Sequence, residues 1–290
     1  MKANFVIMGL PASGKTTFLA ALWHLIEAEE TECRLLLDGY RGELKYLNQI
    51  SEAWRSFQKV PRTSHTGDVD VTINLLDRET GAKGTAFFPD LAGETFDQQV
   101  EERRCKPKLI EELAVDDGIL FFINANIKGE ALSIAELNAA LPVDGDAKID
   151  YDDGNEKSVN FTHEWEPKRL PAQVRVVQLL SDLVRPPFTA RIRRLAIMIS
   201  AWDLARTTNL TPCQWLAAHM PLVDQFLRSN RDYFIYQTYG VSAQGVDLEN
   251  TAGVDEASRL TPSMRIQVVG PEEQGNDLTA PLVWLMSAEK

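Results

Sequence analysis

The sequence predicts an α/β fold: a doubly wound, mostly parallel sheet with helices on both faces, an antiparallel edge strand, and helical and loop insertions. Three observations predict it. Short apolar runs and amphipathic stretches alternate along the chain, the order that strand–helix units produce. The run "GILFFINA" (Gly118–Ala125) is apolar almost throughout, as a strand covered on both faces must be. "DRETGAKG" reads as a hairpin loop, which turns one edge strand antiparallel.

Taken in order, Asn4–Met8 is a short buried strand, and its apolar run leads straight into a glycine-rich segment rather than reading as a signal peptide. Lys15–Glu27 carries Phe18, Leu22 and Leu25 on one helical stripe. Arg41–Gln58 follows as a second amphipathic helix, with Leu44, Leu47, Ile50, Trp54 and Phe57. Val69, Val71, Ile73 and Leu75 alternate with polar residues, the period of a half-buried strand. Beyond the hairpin loop, Thr85–Phe88 is a strand, Gln98–Ala114 a helix and Gly118–Ala125 the buried strand. The stretch from Ala140 to Pro167 is polar and acidic with no sustained period, which predicts a surface insertion. Pro171–Val184 is then a helix, Leu195–Ser200 a strand, Pro212–Arg228 a helix, Tyr233–Tyr239 a strand and Asp277–Met286 a final helix. The expected organisation is one domain over 1–290, with an inserted helix at about 41–58 and an acidic insertion at about 126–170.

At 290 residues the chain can bury a sizeable core. A net charge of -12 argues against a broad nucleic-acid or membrane surface, since both want a positive face. No apolar run approaches the ~18 residues of a membrane span. Cys33, Cys105 and Cys213 are widely spaced and odd in number, so they predict buried free thiols in a reducing cytoplasm rather than disulfides or zinc ligands. His24, His65, His163 and His219 show no metal-ligand spacing, and "DGDAKIDYDDGNE" lacks the EF-hand register.

"GLPASGKTT" (Gly9–Thr17) matches G-x-x-x-x-G-K-T in full. Gly9 and Gly14 permit torsions that other residues resist, so successive backbone N–H groups, those of Ala12 and Ser13 through Thr17 among them, can point at phosphate oxygens. The helix opening at Lys15 adds its positive end. Lys15 should reach the β- and γ-phosphates, and the Thr16 hydroxyl should bind Mg²⁺. Pro11 offers no N–H and stiffens the loop.

In "FFPDLAGETF" (Phe87–Phe96), Asp90 stands just past a strand end that faces the ligand crevice of a parallel sheet. Its carboxylate can hold Mg²⁺ through water. Gly93, three residues on, can turn its N–H toward a γ-phosphate. With the phosphate loop before it, this D-x-x-G segment resembles the second switch of the translation-factor and Ras-like class of P-loop GTPases. That class commonly has a water-orienting glutamine after the glycine. This chain has Glu94, which could orient water or repel the γ-phosphate.

The resemblance extends to the base site. "ISAWDLA" (Ile199–Ala205) lies where the family places N/T-K-x-D. It implies that Asp203 accepts from guanine N1–H and the 2-amino group, while Ser200 and Ala201 take the Asn and Lys positions. Trp202 next to it reads as a core residue. Ser242-Ala243-Gln244 resembles S-A-K, whose backbone N–H meets the guanine O6. For the first switch, the family's threonine, which serves Mg²⁺ and the γ-phosphate, could be Thr63 or Thr66. Arg62 is a candidate internal arginine finger beside a solvated-loop reading, and His65 reads as a loop residue.

The extra helix before the first switch, with "PRT", "SAWD" and "PLVWL", is similar to the bacterial double-GTPase group of conflict and antiviral gene clusters. The resemblance implies GTP/GDP and Mg²⁺ as ligands and a protein partner or effector, another GTPase among the candidates. It leaves open a GTP-binding switch with slow hydrolysis and a nucleotide-loaded scaffold without turnover. A P-loop kinase would need lid arginines, and "RIRR" (Arg191–Arg194), which runs straight into a strand, reads instead as a solvated flank.

Overall fold

A computed structural model of the chain describes residues 2–61, 70–89, 94–126, 170–271 and 274–287. Strand β1 (Lys2–Gly9) leads through the glycine-rich loop into α1 (Lys15–Ala28). Then come β2 (Leu35–Arg41), α2 (Leu44–Arg55), β3 (Val71–Asp77), β4 (Lys83–Phe88), α3 (Glu94–Glu102), α4 (Pro107–Val115) and β5 (Gly118–Asn124). The rest comprises α5 (Ala172–Asp182), β6 (Arg193–Ser200), α6 (Trp202–Ala205), α7 (Pro212–His219), α8 (Pro221–Ser229) and β7 (Phe234–Ser242). After these follow α9 (Thr251–Ala257), α10 (Pro262–Arg265), β8 (Gln267–Val269), β9 (Gln274–Gly275) and α11 (Ala280–Met286).

The strands form one sheet in the order β2-β3-β4-β1-β5-β6-β7-β8-β9. β4, β1, β5, β6 and β7 are parallel neighbours. The mostly parallel α/β sheet is therefore as the sequence predicts. Alternation sends Phe5 and Ile7 of β1 to one face and Val6 and Met8 to the other. α1, α2 and α11 cover the first face, and α3, α4, α5, α7 and α8 the second. The register pairs Gly9 with Phe122, Asn124 with Ser200, and Ser200 with Val241. The carboxyl ends of β1, β5, β6 and β7 thus meet along one rim, where an open α/β sheet forms its ligand crevice.

Several boundaries differ from expectation. β3 is antiparallel to β4, as the hairpin requires, but β2 lies outside it and takes the edge. β2 escapes a periodicity reading because three consecutive leucines are followed by a register shift between Leu37 and Gly39. Gly42, at φ 136°, then turns the chain, so α2 starts at Leu44 rather than Arg41. The expected 98–114 helix is two, α3 and α4, broken by the left-handed Arg103 and Pro107. The expected 212–228 helix likewise splits, at Pro221.

Arg193 overturns the solvated-flank reading of "RIRR". It is 1% exposed and donates to the carbonyls of Leu183 at 2.9 Å and Leu113 at 3.2 Å. These are carbonyls near helix ends, which need donors. Arg191 pairs with the buried Asp116, and Arg194 donates to the Ser287 carbonyl at 2.6 Å. The cysteines are also corrected: Cys33 is buried, Cys105 is half-buried and Cys213 is exposed. No helix among the described residues is long and apolar enough to cross a membrane.

Candidate functional site

The loop between β1 and α1 has the torsions its glycines were expected to supply. Gly9 has φ 147° and Gly14 φ 92°, and Ala12 is also left-handed at 58°. A Cβ on Gly9 would lie 2.7 Å from the Phe122 carbonyl oxygen; one on Gly14 would lie 2.7 Å from Ser200 Cβ. Both glycines are therefore demanded twice, by torsion and by space. Gly14→Ala is expected to add about 1–3 kcal/mol of backbone strain, besides that clash. Thermal unfolding should show a lower melting temperature, and an unchanged one would remove the steric argument.

Lys15 opens α1 and is buried, at 4% exposure. Its ammonium donates to the Gly9 carbonyl at 2.7 Å, the Leu10 carbonyl at 2.8 Å and Ser13 Oγ at 3.2 Å. The cation is thus held inside the curl of the loop, 5.7 Å from the centre of the Phe96 ring. Two further strand ends hold the loop from outside. The Asn124 carboxamide, at the end of β5, donates to the Ala12 carbonyl at 2.8 Å. The Ser200 hydroxyl, at the end of β6, donates to the Ser13 carbonyl at 2.8 Å. Ser200 therefore directs its hydroxyl to the phosphate loop. Asn124 is missing from the sequence-predicted site, although a polar residue closing a buried parallel strand beside the loop was a usable signal.

A cleft of about 600 Å³ opens beside the loop, of the size that takes small ligands. Ala12 to Thr17 line one end of it, and Asp203, Ala243 and Gln244 line it too. Gly9 and Ser242 are not on its wall. Ser242 is buried behind it, where its hydroxyl donates to Asp203 Oδ1 at 2.5 Å and accepts from the Gly245 N–H at 3.2 Å. That bridge ties the Asp203 carboxylate to the turn after β7. Ala201 is left-handed, at φ 51°, and caps α6. Trp202 is a core residue, 3% exposed, packed so closely on Gly240 that a Cβ there would lie 2.3 Å from its ring. Phe57 to Pro61, after α2, form a further wall that the sequence did not announce.

The expected switch and metal residues are only partly in view. Arg62, Thr63, His65, Thr66, Asp90 and Gly93 lie outside the described residues, as does the 127–169 segment. Glu94 is the first residue of α3. Of the expected Mg²⁺ set, Thr16 is described, on the first turn of α1 and lining the cleft beside Lys15. Among the described residues no group of three or more His, Cys, Asp or Glu could hold a metal ion. His24 and His219 pack against Trp54 and Trp215, with ring centres 5.2 and 5.0 Å apart.

A family model described as Double-GTPase 1 matches residues 6–285. No curated protein matches the chain. Among solved structures, the chain is similar to the S. cerevisiae Ski7 GTPase-like domain bound to GTP, at 13% identity and a TM-score of 0.42. That match covers 84% of this chain and 43% of the other, so the chain spans less than half of that relative's length. It is also similar to the G domain of the T. maritima FeoB iron transporter, at 8% identity and a TM-score of 0.30, over 89% of this chain and 96% of that one.

Proposed function

The chain belongs to the Double-GTPase 1 family, and from that premise we propose that it binds GTP and GDP with Mg²⁺ and acts as a slowly hydrolysing switch read by a partner protein. The observation that carries this reading is the single cleft that has the phosphate loop on its wall together with Asp203, Ala243 and Gln244. A nucleoside triphosphate asks for that pairing: donors and a cation for phosphate, and a carboxylate for a base with adjacent N–H groups.

In this reading the loop N–H groups and Lys15 bind the phosphates, and Asn124 and Ser200 keep the loop in shape. Asp203, oriented by Ser242, accepts from guanine N1–H and the 2-amino group. Adenine offers an acceptor at N1 and no 2-amino group, so it is disfavoured. Thr16, with Asp90 and either Thr63 or Thr66, would hold Mg²⁺, which when bound neutralises charge on the β- and γ-phosphates. Gly93 would sense the γ-phosphate, and the order it imposes is what a partner, another GTPase among the candidates, would read. Arg62 is the candidate for an internal arginine finger. A setting in bacterial conflict or defence belongs to the same proposal and rests on the family resemblance alone.

Glu94 favours a second reading, a nucleotide-loaded scaffold without turnover. A carboxylate can accept from an attacking water but repels the γ-phosphate. The kinase reading loses its support, because Arg193 is buried and Arg191 and Arg194 are engaged within the fold.

Titration of the purified protein with GTP and with ATP, in Mg²⁺ and with phosphate release followed, separates these. GTP binding with slow release is the expected result. Tight GTP binding without release selects the scaffold, and a preference for ATP rejects the Asp203 assignment.

A further inference from the structure

Helix α2, the element that a Ras-like protein lacks, ends against the turn that follows β7. The Trp54 indole N–H donates to the Ala243 carbonyl at 2.9 Å. The Gln244 carboxamide donates back to the Trp54 carbonyl at 3.2 Å. The two bonds run in opposite directions between the same two segments, so together they resist both sliding and rotation of residues 243–244. Trp54 is itself locked: it is fully buried, and its ring meets the Arg265 guanidinium at 4.7 Å. Arg265 also covers the Phe57 ring at 4.1 Å. Gly245 (φ 83°) lies so near α10 that a Cβ would lie 2.3 Å from the Arg265 carbonyl oxygen. The turn that lines the base end of the cleft is thus in contact with both α2 and α10, which Arg265 joins to each other.

We propose that the Trp54–Gln244 clamp makes α2 part of the base site, holding residues 243–244 where the turn meets the 6-oxo group of the purine. The inference rests on the guanine-nucleotide reading of the cleft. Trp54 and Gln244 are then positioning residues for 6-oxo recognition, while Asp203 recognises the 2-amino side independently. A purely structural clamp would change affinity for all nucleotides alike; a positioning clamp changes discrimination at one edge of the base.

The test uses two variants of the full chain, one of which, Gln244→Met, is near-isosteric, while Trp54→Phe also removes part of a buried indole. Trp54→Phe keeps an aromatic ring and loses the N–H. Gln244→Met keeps the length, loses the donor and changes a half-buried residue, so it serves should Trp54→Phe fold poorly. Dissociation constants are measured by calorimetry for GTP, for inosine triphosphate, which lacks the 2-amino group, and for 6-thio-GTP, whose sulfur is a poor acceptor. Wild type is expected to prefer GTP over 6-thio-GTP. Each variant should bind GTP about three- to tenfold more weakly, the scale of one hydrogen bond. Its GTP to 6-thio-GTP ratio should fall toward one, with the GTP to inosine triphosphate ratio unchanged. An unchanged 6-thio ratio in both variants overturns the inference, as does a wild type that binds GTP without distinguishing the thio analogue. A wild type that binds no GTP overturns the proposed function, and the inference with it.

Discussion

Lys15→Ala is expected to weaken GTP binding by at least about a hundredfold. A hydrogen bond to a charged group is worth about 1.5–3 kcal/mol, and an ammonium shared by two phosphates makes at least two of them. The fold has already confined this cation: Nζ lies 2.7 and 2.8 Å from the Gly9 and Leu10 carbonyl oxygens, at the first residue of α1. Its three N–H donors are taken by these two carbonyls and Ser13 Oγ, so phosphate exchanges at least two of these bonds; the attraction of anionic phosphate for the cation drives that exchange, and alanine loses it. Alanine also withdraws the donor that holds those two carbonyls, so the nucleotide-free variant should melt at a lower temperature than wild type. Calorimetry with GTP is the check. Unchanged affinity would reject the phosphate-loop assignment, whatever happens to the melting temperature.

Asp203→Asn should exchange the preferred base. Guanine presents an amine at position 2, and xanthine presents a carbonyl there. A carboxylate accepts from the amine, whereas a carboxamide can donate to the carbonyl. The Ser242 hydroxyl donates to Asp203 Oδ1 at 2.5 Å, and an asparagine Oδ1 can accept the same bond. The side chain should therefore stay in place, and the change in preference should report on the base alone. A site built to hydrogen-bond its substrate discriminates by several powers of ten. We expect the ratio of GTP to xanthosine triphosphate affinity to move by at least about a hundredfold and to reverse. A variant that retains the wild-type preference would show that Asp203 does not read the base.

The phosphate loop was legible because it is local. Its spacing, its two glycines and the strand and helix flanking it all lie within consecutive residues, and their torsions follow from the residue types. The carboxyl-end placement of Ser200, Asp203 and Ser242 was legible too, since each follows an apolar strand and parallel strands share one crevice. β2 was not, because a bulge beside Gly39 erases the period of two that marks a strand. The division of α3 from α4 and of α7 from α8 was signalled by Pro107 and Pro221; across the second break apolar spacing runs on from Trp215 and Leu216 through Met220 to Val223 and Leu227 and masks it.

The sequence by itself determined the α/β class, the phosphate loop and the strand ends around which the cleft is built, since these depend on short-range periodicity and on which torsions a residue allows. Only the tertiary structure decided how the polar atoms are paired. Ser200 reaches the Ser13 carbonyl across 187 residues of chain, and Gln244 reaches the Trp54 carbonyl across 190. Arg193, polar by every local measure, is buried because the fold brings it the Leu113 and Leu183 carbonyls as partners. A polar group may be buried only where a partner awaits it, and which partner arrives is set by the packing of distant elements rather than by the residues beside it.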